Sequence, residues 1–449
     1  MRREASGRDQ VLRVGVVPDR QLTPVRERER VFTLDALRGV AILGVVIANV
    51  LTFAFPAWST STPTGAESMQ GSRLLVGFLV EGKFYVLFAV LFGMGLGLQS
   101  TRANAADRAF AGVYARRLGV LLLFGLAHGV FLYSGDILAF YAVLGLVAMA
   151  LRRLPQRALL VLATGLLLAN VSAIGVHSML NPGSVMPTLP DWERLLEKHH
   201  ADGLASAASE PGAGPAEPDR RLAFLEIMAD ETRIFRSGSW WERTRHRAFA
   251  YVLVGWPLRL LYTSWRVLGF FLLGICLVRR AVFLEAEDFR NRYLTWLWSG
   301  LLIGIILQMA GAAVQVLRPG NVGVVMLGVS SLLGGGLVQA LAYASGVAWL
   351  CLRRRGQNLL RPVAAVGRMA LTNYLLSSIV FGLVFYNHGL GLFGQLTTTQ
   401  ALAVALALYS AQLIFSSWWL DRFQFGPFEW VWRSATYWRV QPLHRATQG

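Results

Sequence analysis

Long apolar runs alternate with short polar breaks along most of the chain. Each run is near the ~20 residues that a helix needs to cross a bilayer. Ten runs stand out, at approximately 37–55, 74–98, 118–134, 137–151, 157–176, 260–278, 296–316, 322–350, 365–386 and 399–420. The pattern predicts an all-α fold, a polytopic integral membrane bundle of about ten transmembrane helices. It divides the chain into a basic tail (1–33), helices one to five (34–176), an extracytoplasmic loop or cap (177–248), helices six to ten (249–420) and an aromatic, basic interfacial tail (421–449).

Composition agrees with a membrane protein. Of 449 residues, 54% are hydrophobic and 15% charged, against roughly 25% charged in soluble chains. The net charge of +17 does not point to nucleic acid, because the arginines sit in the breaks between apolar runs. Arginine-rich breaks (Arg102, Arg108, Arg116 and Arg117; Arg152, Arg153 and Arg157; Arg279, Arg280, Arg290 and Arg292; Arg353, Arg354, Arg355 and Arg361) alternate with breaks of low positive charge such as STSTPTGAES and NHGLGLFGQ. By the positive-inside rule, both termini are expected in the cytoplasm. The first 30 residues lack the apolar region of a signal peptide, so no cleavage is expected. Cys276 and Cys351 lie inside apolar runs and imply neither a disulfide framework nor a thiolate metal site.

The middle of the long outer segment, GLASAASEPGAGPAEP, has linker composition. Its flanks, DWERLLEKHH and RRLAFLEIMADETRIF, fit short surface helices, and the whole reads as a surface loop or as a cap over a site. The final FGPFEWVWRSATYWRVQPL interleaves aromatic rings with arginines. It reads as an interfacial anchor, packed under the bundle or serving as a lid.

Polar groups inside the spans are the candidate chemistry, since such groups face the protein interior or a wet cavity. Arg38 and Asn49 are eleven residues apart, which places them about 20° apart on one helical face, with Asn49 roughly 16 Å deeper. Asp35 stands one turn before Arg38 and pairs with it. Two readings remain open for this pair, a helix start touching lipid phosphate or the wall of a site. For Asn49 they are a helix–helix hydrogen bond or a site residue. His128 lies eleven residues from Arg117, in the same mid-membrane layer, either as a satisfied packing residue or as a neutral imidazole that serves as a general base. Asp136 follows at a tight turn. Glu81 and Lys83 interrupt the second run at EGKF, either cross-linking two hairpins or facing a substrate. In GRMALTNY, Asn373 reaches the middle layer, and Arg368 lies beside Arg38 in depth. Two arginines there would hold an anionic ligand such as a phosphate, or snorkel to headgroups. Arg266 is a further intramembrane cation. The glycines of FGMGLGLQ and LLGGG read as helix packing. No HExxH, Walker A, GxSxG or paired-histidine spacing is present, so no metal is expected.

Six stretches carry a resemblance to a family: LDALRGVAILGVVIAN, EGKFYVLFAVLFGMGLGLQ, RRLGVLLLFGLAHGVFLYSGDILAFYAVLGL, FRSGSWWERTRHRAF, GRMALTNYLLSSIVFGLVFY and SSWWLDRFQFGPFEWVWRSATYWR. In their order and spacing they resemble the YeiB-like bacterial membrane proteins with the C-terminal domain of unknown function 418, over nearly the whole chain. That resemblance implies a multi-pass protein of the bacterial cytoplasmic (inner) membrane, embedded in membrane lipids. The first run is also similar to the opening helix of the transmembrane acyltransferase superfamily of the heparan glucosaminide acetyltransferase type. This second resemblance implies acyl-CoA as a co-substrate, no tightly bound cofactor, and a glycan or lipid acceptor. Under it, Arg38 and Arg368 would hold the acyl-CoA phosphates, His128 would be the base, and Asn49 would orient the thioester carbonyl or stabilise its oxyanion. Asp136, Glu81, Lys83 and Asn373 would face substrate. No histidine closely follows Asn49, so the base falls to His128. The alternative is a transporter of a small solute or lipid, for which broken helices and an internal repeat are the expectation. A third reading is a noncatalytic partner of another envelope system.

Overall fold

A computed structural model describes residues 31–56, 67–102, 107–180, 230–284, 286–317 and 331–445. The basic tail before residue 31, residues 57–66 with most of the STSTPTGAES break, the 181–229 segment with its linker and the DWERLLEKHH flank, and the RPGN break lie outside the described residues. Among the described residues the regular structure is helical, with one isolated bridge between Phe423 and His444. In chain order the helices are α1 (Phe32–Ala54), α2 (Glu67–Leu79), α3 (Lys83–Arg102), α4 (Asp107–Phe131), α5 (Leu138–Leu151), α6 (Gln156–Leu180), α7 (Trp240–Phe249), α8 (Ser264–Arg279), α9 (Arg290–Leu317), α10 (Gln339–Cys351), α11 (Arg354–Arg368), α12 (Ala370–Phe385), α13 (Thr398–Arg422) and α14 (Pro427–Tyr437).

Six helical stretches are long and apolar enough to cross a membrane: Phe32–Ala54, Leu75–Thr101, Phe110–Phe131, Trp240–Arg279, Glu287–Val314 and Thr398–Arg422. A seventh arises if the pair Gly335–Cys351 and Arg354–Arg368, bent by 120°, forms one span. The remaining expected runs correspond to shorter apolar helices. The 14 residues of α5 rise only about 21 Å, less than a ~30 Å hydrocarbon core.

Two expected boundaries change. The run 365–386 is not one helix, because α11 stops at Arg368 and α12 starts at Ala370, with Met369 between them outside helical geometry (φ −109°, ψ 34°). The helix containing the expected span 260–278 begins instead at Trp240, inside the segment expected as a loop or cap. Ser239 and Glu242 start it with a reciprocal capping box, Glu242 N–H donating to Ser239 Oγ at 3.2 Å and Ser239 N–H to Glu242 Oε2 at 2.6 Å. Two π-helical segments, Ala250–Gly255 and Arg259–Thr263, then carry it into α8.

Helix α1 is central. Of its apolar window 61% is buried, against 17% for Glu287–Val314, and it packs on α3, α10, α11, α12 and α13. Its crossing with α11 brings the two backbones together. A Cβ on Gly39 would lie 1.9 Å from Val363 O, and one on Gly367 would lie 1.9 Å from Asp35 O. Gly93 and Gly97 of FGMGLG act in the same way between α3 and α8, Gly93 abutting Phe271 O and Gly97 the Ile275 backbone. Small residues permit this approach where lipid supplies no hydrophobic drive for helix association. We expect Gly367→Val to lower stability by about 3 kcal/mol or more, the upper end of overpacking costs. Gly165→Ala, where a Cβ meets nothing within 4 Å, serves as the control. Thermal unfolding in detergent checks the pair, and equal midpoints would refute the tight crossing.

Candidate functional site

A cavity of about 310 Å³ is lined by α1, α3, α4, α5, the end of α11, α12 and α14, at the lower end of the roughly 300–1,000 Å³ typical of small-molecule pockets. One end is polar and basic, lined by Asp35, Arg38, Gln99, Arg117, Arg368 and Arg433. The interior is apolar and aromatic, with Phe88, Phe92, Leu121 and Tyr141. Ile137, Leu138 and Tyr374 line it where α5 begins. The structure therefore brings together Arg38 and Arg368, as expected from depth alone, and adds Arg117 and Arg433.

The basic end is held by specific contacts. Arg38 Nη1 donates to Asp35 Oδ1 at 2.8 Å, as their one-turn spacing implies. Arg117 stacks over Trp432, 4.0 Å from the ring centroid, and Trp432 Nε1 donates to Arg117 O at 2.8 Å. The aromatic tail is thus a packed wall of the cavity. Glu429 of the same helix caps α12 from outside its own chain segment. Its Oε1 accepts from Leu371 N–H at 2.7 Å and Thr372 N–H at 3.1 Å, and its Oε2 from Thr372 Oγ at 2.5 Å. Burial pushes the Glu429 carboxyl above its ordinary value, against the opposing pull of these hydrogen bonds.

Beyond Tyr374 lies a second, fully buried constellation. His128 Nδ1 is 2.8 Å from Asp136 Oδ1, and His128 Nε2 is 2.8 Å from Ser378 Oγ. His128 and Ser378 are each 2% exposed and Asp136 is 0% exposed, so the three groups satisfy one another away from solvent. A carboxylate at Nδ1 assigns the proton to that nitrogen and leaves Nε2 to accept from the Ser378 hydroxyl. Asp136 Oδ2 accepts from Ala139 N–H at 3.0 Å and Tyr251 OH at 3.2 Å. The YSGD turn creates this placement. Leu132 and Tyr133 N–H both bond His128 O, Asp136 N–H bonds Tyr133 O, and Asp136 then caps the start of α5. The His128 ring lies 4.8 Å from that of Tyr374, which separates it from the cavity.

Asn49 does not hydrogen-bond His128. Tyr133 stands between them: its OH donates to Asn49 Oδ1 at 3.4 Å and lies 2.9 Å from Thr52 Oγ, and its ring meets the imidazole edge-on at 6.1 Å. Asn373 turns away from the cavity, donating to Ser416 Oγ at 2.9 Å and Val366 O at 3.2 Å, and so ties α12 to α13. Lys83 is buried against α9, donating to Gln308 Oε1 at 3.0 Å and Gly77 O at 2.5 Å, while Glu81 is exposed. Neither joins the His128 cluster. Arg266 lies over the Tyr85 ring, 5.7 Å from its centroid.

Sequence reasoning passed over Ser378, Tyr133, Tyr251, Tyr374, Arg117 and Glu429. For Ser378 a faint signal existed in the paired hydroxyls of TNYLLSS. Serines in apolar helices commonly bond the carbonyl four residues back, as Ser377, Ser345, Ser410 and Ser417 do here. Ser378 turns to His128 instead.

The Glu429 contacts carry a pH expectation. Below the ordinary glutamate value of 4.5 both folded and unfolded states are protonated. Above it the unfolded state loses its proton first, so this group's contribution to stability falls as pH rises through the raised folded value. Glu429→Gln keeps the acceptor for the two N–H groups and removes the titration. We expect the wild-type melting temperature to fall relative to Glu429→Gln as pH rises. Parallel profiles in detergent melts across pH would contradict the placement.

The chain is 30% identical over 444 residues to Uncharacterized protein YxaH of Bacillus subtilis, spanning 95% of this chain and 99% of that relative. Over 420 residues it is 29% identical to Uncharacterized protein YeiB of Escherichia coli, covering 91% and 96% of the two chains. Residues 277–439, from the end of α8 through α14, match the family described as Protein of unknown function (DUF418). Since these similarities run nearly end to end, through both the basic cavity and the His128 cluster, the chain belongs to the YeiB-like DUF418 family.

Proposed function

We propose that the protein is a membrane-embedded acyltransferase that moves an acyl group, such as acetyl, from cytoplasmic acyl-CoA to a hydroxyl or amine on an extracytoplasmic or lipid-linked acceptor. The observation that carries this reading is one cavity lined by four arginines and by apolar and aromatic side chains, with a wall, Tyr374, that packs directly on His128. The reading takes ten crossings of the bacterial inner membrane with both termini cytoplasmic, so that the arginine-lined end opens where acyl-CoA is available. Arg38, Arg117, Arg368 and Arg433 would pair with the donor's phosphates, and the pantetheine arm would fill the apolar part. Rotation of Tyr374 opens the way to His128, whose Nε2 accepts the acceptor's proton while Asp136 steadies the imidazolium that forms. Tyr133, tethered by Asn49 and Thr52, would give up its bond to Asn49 and donate to developing negative charge on the carbonyl oxygen.

A transporter of a small solute or lipid is the second reading. The 120° break between α10 and α11 and the π-helical segments before α8 favour it, because broken helices mark many transport sites.

Purified protein incubated with labelled acetyl-CoA and a panel of amino sugars, polyprenyl-linked glycans and lipids tests the choice. We expect transfer to at least one acceptor, reduced by about 10²–10⁴-fold in His128→Ala, the range for loss of a general base. Arg38→Ala and Arg368→Ala should raise KM for acetyl-CoA by about tenfold, roughly 1.4 kcal/mol each, with kcat changed little. Absence of both acetyl-CoA binding and transfer would overturn the reading. Solute flux in proteoliposomes without acyl-CoA would favour the transporter.

A further inference from the structure

We infer that Ser378 is the acyl carrier: the group leaves CoA as an ester on Ser378 Oγ and passes to the acceptor in a second step. This inference rests on the acyltransferase reading and adds a covalent intermediate to it.

The geometry has the three parts that activate a serine. The hydroxyl meets the base at 2.8 Å, the base meets an orienting carboxylate at 2.8 Å, and that carboxylate is fixed by two further donors, Ala139 N–H and Tyr251 OH. The hydroxyl has turned from its own helix backbone to make the contact, unlike its neighbour Ser377. Position along α12 supports the same role. Leu371 and Tyr374 line the cavity, and Ser378 lies one turn beyond Tyr374 on the same face, about 6 Å further along the helix. A thioester drawn down the cavity and past Tyr374 meets Ser378 next.

The steps balance. Ser378 Oγ attacks the thioester carbonyl and its proton passes to His128 Nε2. The tetrahedral adduct collapses, the C–S bond breaks, and the departing CoA sulfur takes that proton, leaving an acyl ester on Ser378 and a neutral imidazole. The acceptor hydroxyl or amine then attacks the ester carbonyl and gives its proton to His128, which returns it to Ser378 Oγ as the C–O bond breaks. No oxidant or metal is needed. The intermediate also relieves a geometric constraint. With the acyl group held on Ser378, a donor that enters the arginine-lined cavity and an acceptor need never occupy the buried centre together.

The test begins with the wild-type protein in detergent, mixed with labelled acetyl-CoA without acceptor and quenched in acid. We expect covalent, hydroxylamine-labile acetyl label on the peptide that contains Ser378 and, when free CoA labelled in its own moiety is added to unlabelled acetyl-CoA, appearance of that label in acetyl-CoA. With acceptor present, double-reciprocal plots should be parallel. Ser378→Ala should lose label and transfer together while its melting temperature stays close to wild type, and Ser378→Cys should carry the label as a thioester, released by hydroxylamine faster than the wild-type ester. The exchange reaction needs no variant, so it holds even if a substitution impairs folding. If wild type transfers acetyl groups with intersecting plots and no exchange, or if label maps to His128, the serine carrier is overturned and the acyltransferase stands. If wild type neither binds acetyl-CoA nor transfers from it, the underlying reading fails and takes the inference with it.

Discussion

Asp136 is a carboxylate with no exposed surface, and the centre of the molecule is arranged around meeting its demand for donors. An isolated charge removed from water is costly unless it is paired and hydrogen-bonded. His128, Ala139 N–H and Tyr251 OH supply the partners. Each donor belongs to a different structural decision. His128 requires α4 to end beside the turn, Ala139 requires α5 to start at once, and Tyr251 requires the π-helical segment after α7. Moving any of these elements would leave Asp136 short of a partner, so the α4–α5 hairpin and the segment before α8 are coupled through one side chain.

That coupling places a polar, fully satisfied centre next to an apolar cavity whose other end is basic. Helix α12 connects the two. Its first turn is capped by Glu429 from the tail, its second contributes Tyr374 to the cavity wall, and its third presents Ser378 to His128. Helix α11 lies across α1 through Gly39 and Gly367, and the split at Met369 ends it there and starts α12 as a separate helix. The tail then closes the cavity and holds α12 through a single acid.

Much of this was legible from residue pattern. Apolar runs disclosed an all-helical protein with segments long and apolar enough to cross a membrane, and the one-turn spacing of Asp35 and Arg38 disclosed their ion pair. The glycines of FGMGLG were correctly read as packing. Three things were not legible. A 3.6-residue period does not reveal where a continuous apolar run bends, so the break at Met369 was hidden inside GRMALTNY. Charge concealed a helix in WWERTRHRAF, although the Ser239–Glu242 spacing of a capping box was present. Partners distant in sequence were invisible: Ser378 is 250 residues from His128, and nothing local distinguishes it from Ser377. Depth alone likewise suggested that Asn49 and His128 meet, whereas azimuth inserts Tyr133 between them.

The arginines illustrate why charge by itself is a poor guide to a site. At the end of the molecule near the 386–397 loop, several are engaged by backbone and loop groups. Arg236 donates to Phe393 O and Gly394 O, Arg243 to Gly238 O and Asn387 Oδ1, Arg247 to Leu132 O, and Arg259 to Ser134 O. A guanidinium presents five donors in a fixed fork, and here those forks pin irregular backbone that no helix ladder satisfies. They staple the 386–397 loop and the YSGD turn to the helices, holding Asp136 in register. Arg38, Arg117, Arg368 and Arg433 differ in where they stand: all four line one cavity, and two of the contacts that position them, Asp35 with Arg38 and Trp432 with Arg117, come from the cavity's own walls. The same residue type therefore has two tasks, closing the fold at one end and lining a cavity at the other, and what each guanidinium touches separates them.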